Sequence, residues 1–256
     1  ARLGIALVPL PLDGEGVRPD AILQAHRAAP LSGLYLQPTL QNPLGATMGP
    51  GRRAEIAAVL ARTGLTLVED AVYGFLRDTT AIAALAPERT ILVDSLSKRV
   101  MPGLTVGMIV SPPEMTDRLA ASVRQGGWSA PGVALAAGTR WMEDGSAARL
   151  ARAKRADAAE RQAIARDRLA GLPVTGDAAA YHLWLTLPET WRAEAYAAAA
   201  LRRGIALIPA SSFAVSPGHA PNAVRLALAA PARDELARAL DALRRLALAG
   251  DDQVVE

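Results

Sequence analysis

A chain of 256 residues with 51% hydrophobic and only 21% charged content has ample material for a buried core, which excludes an intrinsically disordered protein and suits one large or two modest domains. Its 28 Lys and Arg against 25 Asp and Glu leave a net charge of +3, too slight for a dense basic face and weak support for a nucleic-acid partner. The absence of cysteine removes disulfides, thiolate metal sites and cysteine nucleophiles together, and suits a reducing, cytoplasmic setting.

Residues 4–8 read as a first strand. This apolar run is far shorter than the ~20 residues a bilayer requires and has no basic leader or cleavage site before it, so neither export nor membrane embedding is expected. Because the chain begins Ala-Arg-Leu-Gly and almost at once enters that strand, an upstream portion is expected to be missing from it. Further strands are predicted at 34–37, 65–69, 91–94 and 106–110. Between them, a helix over 52–62 follows Gly49-Pro50-Gly51 and stops at Gly64, and Pro113 opens another through Met115, Leu119 and Val123. This alternation predicts a parallel α/β sheet. Residues 132–169 are almost wholly helical, broken at Asp144-Gly145; then come a strand at 182–187, a helix at 191–202, strands at 205–208 and 224–229, and a helix at 234–249. The expected division is a large domain over 1–144 and a smaller α+β domain, with its connecting helix, over 145–256.

An open α/β sheet holds its ligands at the carboxyl ends of its strands, so the loops there carry the candidates. QPTLQNPLG contains Asn42 in what is otherwise an ordinary Asn-Pro-Gly turn. Asp70 follows an apolar strand with Tyr73 three residues on; the pair fits a helix cap and a half-buried aromatic, or a carboxylate for a cationic ring nitrogen and a phenol for a phenolate oxygen. SLSKRVMPGLTVG holds Lys98, one of only two lysines in the chain, with Ser95 and Ser97 beside it, Arg99 next and a Pro102-Gly103 turn. A lysine there is a solvated surface residue or, when its amine is neutral, a nucleophile toward a carbonyl carbon. Arg225 is the lone charge in NAVRLALA, a guanidinium that needs a partner or captures a carboxylate.

Taken in order, Asn42, Asp70, Tyr73, Ser95, Lys98, Pro102-Gly103 and Arg225 form a pattern. Through YLQPTLQNPLGATM, LVEDAVYGFL, SLSKRVMPGLTVG and VRLALA, the chain resembles the fold type I pyridoxal-phosphate aminotransferases of class I/II. Within them it is most similar to the aminotransferase-like domain of the MocR subgroup of GntR regulators. The resemblance covers nearly the whole chain. It implies an aspartate aminotransferase-like α/β fold with a three-layer α/β/α large domain, and pyridoxal 5'-phosphate as cofactor. Lys98 would be the Schiff-base lysine and proton shuttle, Asp70 the partner of the pyridine nitrogen, and Asn42 and Tyr73 the partners of the ring oxygen. Ser95 and Ser97 would bind phosphate and Arg225 the substrate α-carboxylate, with Asn42 beside it. Amino acids and 2-oxo acids would be the substrates, and a homodimer the assembly.

Thr105 departs from the pattern, standing where the family places an arginine against the phosphate. The glycine loop and stacking aromatic that the family carries upstream are also not found within residues 1–256; Trp128 is a candidate lining residue. His26, His182 and His219 are too scattered for a metal set, no GxSxG elbow is present, and no winged helix is found, so direct DNA binding is not expected. Two functions fit: an aminotransferase, or a ligand-sensing domain of a MocR/GntR-type regulator that binds the same cofactor with little turnover.

Overall fold

The computed structural model describes residues 4–127, 129–216 and 218–249; Trp128 lies outside them. The chain divides into two compact units. One comprises Leu10–Thr39 and Ala46–Arg155; the other comprises the described residues of Ala1–Pro9, Leu40–Gly45 and Ala156–Glu256.

The first unit opens with a short antiparallel ribbon, β1 (Leu12–Asp13) and β2 (Gly16–Val17), and a helix, α1 (Pro19–Ala28). Its sheet consists of β3 (Leu34–Leu36), β4 (Leu67–Asp70), β5 (Thr90–Ser95) and β6 (Gly107–Val110), in that spatial order. β3, β4 and β5 run parallel, linked by α2 (Pro50–Thr63) and α3 (Ile82–Leu85). α2 begins at a proline, where a missing N–H costs nothing, and ends at Gly64 in the left-handed region (φ 70°). Leu34, Leu36 and Leu67 bury one sheet face against Ile22, Ile56, Val59, Leu60 and Ile82. β6 corrects the expected all-parallel sheet: it runs antiparallel to β5. The link between them holds only the single turn α4 (Leu96–Arg99) and the Pro102-Gly103 bend, with no crossover helix, and it returns Gly107 directly beside Ser95. Then follow α5 (Thr116–Gly127), α6 (Gly132–Glu143) and α7 (Ser146–Arg168), and the division between units falls within α7.

The second unit has an antiparallel sheet ordered β7 (Val174–Thr175), β8 (His182–Thr186), β10 (Ala223–Ala227), β9 (Ile208–Pro209). Leu183, Leu185, Val224 and Leu226 pack against Leu169 just after α7, Tyr196 of α8 (Ala193–Leu201) and Leu236, Leu240, Leu243 and Leu246 of α9 (Arg233–Ala249). Trp191, expected inside α8, precedes it; it is buried with its indole N–H on the Leu246 carbonyl at 3.0 Å. Residues 4–8 are irregular and exposed, against the predicted strand, since a short apolar run makes no strand without a neighbour to pair. The expected 205–208 strand shrinks to Ile208–Pro209, the two residues that face Val224 and Arg225.

Candidate functional site

In the first unit, the candidate residues gather at the carboxyl ends of β4 and β5, which are neighbours in the sheet. β4 reads Leu-Val-Glu-Asp with side chains alternating between faces, so Leu67 and Glu69 turn toward the helices and Asp70 toward the opposite face. There the Asp70 Oδ1 accepts the Val72 N–H at 3.0 Å and its Oδ2 accepts the Tyr35 hydroxyl at 2.6 Å. Tyr73 follows three residues later, half-buried, at the head of a single 3-10 turn (Gly74–Leu76).

Ser95 ends β5 and caps α4, its Oγ accepting the Ser97 N–H at 3.0 Å. The Ser97 hydroxyl donates to the Leu104 carbonyl at 3.2 Å, which folds the Pro102-Gly103 bend back onto the helix, and Leu96 N–H donates to Val106 O at 3.0 Å. Leu96 is fully buried against α6, where Gly138 leaves it room: a Cβ on that glycine would lie 2.8 Å from Leu96 Cδ1. Lys98 is exposed on this anchored turn. The chain's other lysine closes the same turn, Lys154 Nζ donating to the carbonyls of Lys98 (2.7 Å) and Val100 (2.9 Å). Thr105 is exposed and lines a cavity of about 460 Å³ with Asp94, Gly107 and Ser129. Arg99 does not replace the charge that Thr105 lacks: its guanidinium pairs with Asp94 at 2.5 Å and lies over the Phe75 ring at 5.5 Å.

In the second unit, Asn42 and Arg225, 183 positions apart, meet: Arg225 Nη1 donates to Asn42 Oδ1 at 3.3 Å. The alternation of β10 sends Val224 and Leu226 to the helices and Arg225 to the other face, beside Trp184 of β8 and over the Phe213 ring at 5.4 Å. The Asn42 loop is held by His182, whose Nε2 donates to the Gln41 carbonyl at 3.0 Å. Burial lowers the His182 pKa, and the nearby Arg225 charge adds to the effect against the opposing Gln41 carbonyl, so the ring is neutral. Gly45 closes the loop with φ 69°, packed against the backbone of Gly176.

The aminotransferase class I and II family model matches residues 4–243. The chain belongs to that family. It is 30% identical over 255 residues to the 2-aminoadipate transaminase of Thermus thermophilus, covering 94% of this chain and 64% of that one. It is 26% identical over 247 residues to an uncharacterized HTH-type transcriptional regulator, YdeF of Bacillus subtilis, covering 95% of this chain and 54% of the regulator. This aminotransferase-family chain therefore spans between half and two thirds of the length of these relatives. Among solved structures it superposes on LysN, the α-aminoadipate aminotransferase of Thermus thermophilus complexed with N-(5'-phosphopyridoxyl)-L-leucine. That match has a TM-score of 0.83 and 25% identity, with 94% of this chain and 65% of that chain covered. The fold is the aspartate aminotransferase-like one.

Sequence reading missed Tyr35, Lys154, His182 as the anchor of the Asn42 loop, and Phe213. Each acts through a partner a dozen or more positions away, which no local motif reports. For Tyr35 one signal existed: a polar aromatic between two buried leucines must face away from the core. Among the described residues, no helix is long and apolar enough to cross a membrane, and no group of three or more His, Cys, Asp or Glu is placed to hold a metal ion.

Proposed function

We propose that this chain forms the greater part of a pyridoxal 5'-phosphate-dependent aminotransferase, a cytoplasmic homodimer that moves an amino group between an amino acid and a 2-oxo acid. The observation that carries the reading is the donor set at two adjacent strand ends: the Asp70 carboxylate, the Ser95 hydroxyl and the exposed Lys98 amine on a turn pinned from three sides. This set suits the cofactor's chemistry, with an amine for its aldehyde, a carboxylate for its cationic ring nitrogen and hydroxyls for its phosphate. When bound, pyridoxal phosphate supplies the aldehyde and an electron-withdrawing ring.

The residues of this chain act on it as follows. Lys98 Nζ would attack the aldehyde carbon with loss of water and, once the substrate amine has displaced it, would carry a proton to and from the substrate α-carbon. Asp70 holds the proton on the ring nitrogen, and Tyr73 and Asn42 donate to the ring oxygen. Ser95 and Thr105 meet the phosphate with hydroxyls, without the charge of an arginine; Ser97 joins them only to the extent that its proton leaves the Leu104 carbonyl. Arg225, held over the Phe213 ring and bonded to Asn42, takes the α-carboxylate.

The likeness to YdeF favours a second reading, a sensor that binds the cofactor and an amino compound with little turnover. One experiment separates them. The purified full-length protein is loaded with pyridoxal 5'-phosphate and mixed with a panel of amino acids while the absorption of the cofactor is followed. Conversion of the cofactor to its amine form with release of the 2-oxo acid supports the aminotransferase; a spectral change without 2-oxo acid supports the sensor. No visible absorption in the loaded protein, or its survival in Lys98→Ala, sinks both.

A further inference from the structure

Tyr35 belongs to none of the residues given a role above, yet it makes the shortest side-chain contact to Asp70. It stands in the middle of β3 with Leu34 and Leu36 buried on either side, so its ring projects from the sheet face that carries Asp70. In the register of the parallel pair, Tyr35 lies beside Val68, two residues before Asp70 on the same face. That diagonal is within reach of a long aromatic side chain. The Tyr35 hydroxyl donates to Asp70 Oδ2 at 2.6 Å, a short charge-assisted bond, while the Val72 N–H holds Oδ1.

The carboxylate is thus gripped at both oxygens from different directions, by its own turn and by the neighbouring strand. A carboxylate has about four lone-pair sites, so two remain in a plane that can no longer rotate freely. The phenol is a dependable donor, because burial of its hydroxyl and then the facing carboxylate raise its pKa above the ordinary value. Two further tyrosines serve the fold, Tyr181 on Asp157 and Tyr196 on the Leu243 carbonyl.

We propose that Tyr35 is a positioning residue, which sets the orientation of the Asp70 carboxylate and through it the hold on the ring nitrogen of pyridoxal 5'-phosphate. This rests on the reading of Asp70 given under the proposed function. Without the hydroxyl the carboxylate turns about its Cβ–Cγ bond, and the ring nitrogen keeps its proton less firmly. A ring with less positive charge would withdraw electrons less strongly from Lys98 Nζ once joined to it, so that nitrogen would keep its proton to higher pH and the pH midpoint of the visible absorption would rise.

The test is Tyr35→Phe in the purified full-length protein, with pyridoxal 5'-phosphate as the probe. At 63% exposure Tyr35 is not needed to fill the core, and the urea midpoint checks that Tyr35→Phe folds. Expected are cofactor binding weaker by about tenfold and a pH midpoint higher by roughly half a unit. Neither shift is expected when Tyr35→Phe is placed on an Asp70→Asn background. Wild-type affinity and midpoint in Tyr35→Phe overturn the proposal, as do shifts of the same size on the Asp70→Asn background, which would mean that Tyr35 acts elsewhere. Those results leave the proposed function standing. Failure of the wild-type protein to develop visible absorption overturns both together.

Discussion

Replacing Arg53 by Met tests what holds the segment that leads to Asn42. Arg53 and Glu69 are each 2% exposed and 3.7 Å apart, a buried ion pair. The guanidinium also donates to the carbonyls of Met48 (3.0 Å), Thr80 (3.1 Å) and Pro38 (3.1 Å) and to the Thr39 hydroxyl (2.7 Å). Glu69 accepts the N–H groups of Ile82 (3.1 Å) and Ala83 (2.8 Å) at the start of α3. Met fills much of the same volume, so the loss is electrostatic: a carboxylate left buried without its cation, and four acceptors that each lose a charged donor, of which the Pro38 carbonyl keeps the Met48 N–H and the Thr39 hydroxyl keeps Thr79. Breaking one side of such a pair costs about 3–5 kcal/mol. In urea this moves the unfolding midpoint down by about 1–2 M. The pH dependence identifies the cause. Burial already raises the Glu69 pKa above its ordinary value against the pull of the two N–H groups and Arg53, and removal of Arg53 raises it further. A carboxyl with a raised folded-state pKa binds more protons folded than unfolded, so its contribution is most favourable below the unfolded pKa and falls as pH rises through the folded one. The deficit of Arg53→Met therefore narrows between pH 7 and pH 5. A loss below about 1 kcal/mol, or one that stays constant over that range, would refute the reasoning.

Gly45→Ala and Gly51→Ala should have opposite signs although the change is the same. Gly45 has φ 69° and its added methyl would lie 2.8 Å from Gly176 Cα, so a loss of about 2–4 kcal/mol is expected; Gly51 meets nothing within 4 Å near the start of α2 and should gain up to about 0.5 kcal/mol. Thermal unfolding of the two variants side by side decides it, and equal shifts would be incompatible with the backbone argument. Asp157→Asn should cost about 1–2 kcal/mol near neutrality. Burial alone would raise the Asp157 pKa, but hydrogen bonds from Arg161, Arg233 and Tyr181 together hold it below the ordinary value. Its contribution is thus complete above the unfolded carboxyl pKa and is lost as pH falls through the lower folded one, so the variant's deficit should vanish in acid; melting curves between pH 3 and 7 that stay parallel would contradict this.

The fold was legible in the sequence where a local rule decides the outcome. The proline start and glycine stop of α2 lie within a residue or two of their predicted places because caps are local chemistry. The break between α6 and α7 falls at Asp144-Gly145, where Gly145 takes φ 75°. What was not legible depended on neighbours. Residues 4–8 have the composition of a strand but no partner among the described residues, and β6 has the composition of a parallel strand but follows a bend, without a crossover helix, that returns it antiparallel to β5. The same holds for the candidate site. Arg225 announces by its isolation that it needs a partner, but nothing nearby in sequence names Asn42 or Phe213.

Glu69 and Asp70 show how little separates a stabilising group from one proposed to do chemistry. They are adjacent carboxylates on one strand, and the two-residue alternation of side chains alone sends them to opposite faces. Glu69 enters the helix-covered face, where a lone carboxylate is costly, and there two backbone N–H groups and Arg53 attend it, while its burial closes it to a ligand. Asp70 emerges on the other face with one backbone donor and one phenol, leaving lone pairs that solvent or a cationic ring nitrogen can use. A slip of β4 by one residue would exchange the two roles and bury the chemistry. The Arg53–Glu69 pair therefore does more than stabilise the core: it fixes the register in which Asp70, and not its neighbour, faces outward beside Tyr35.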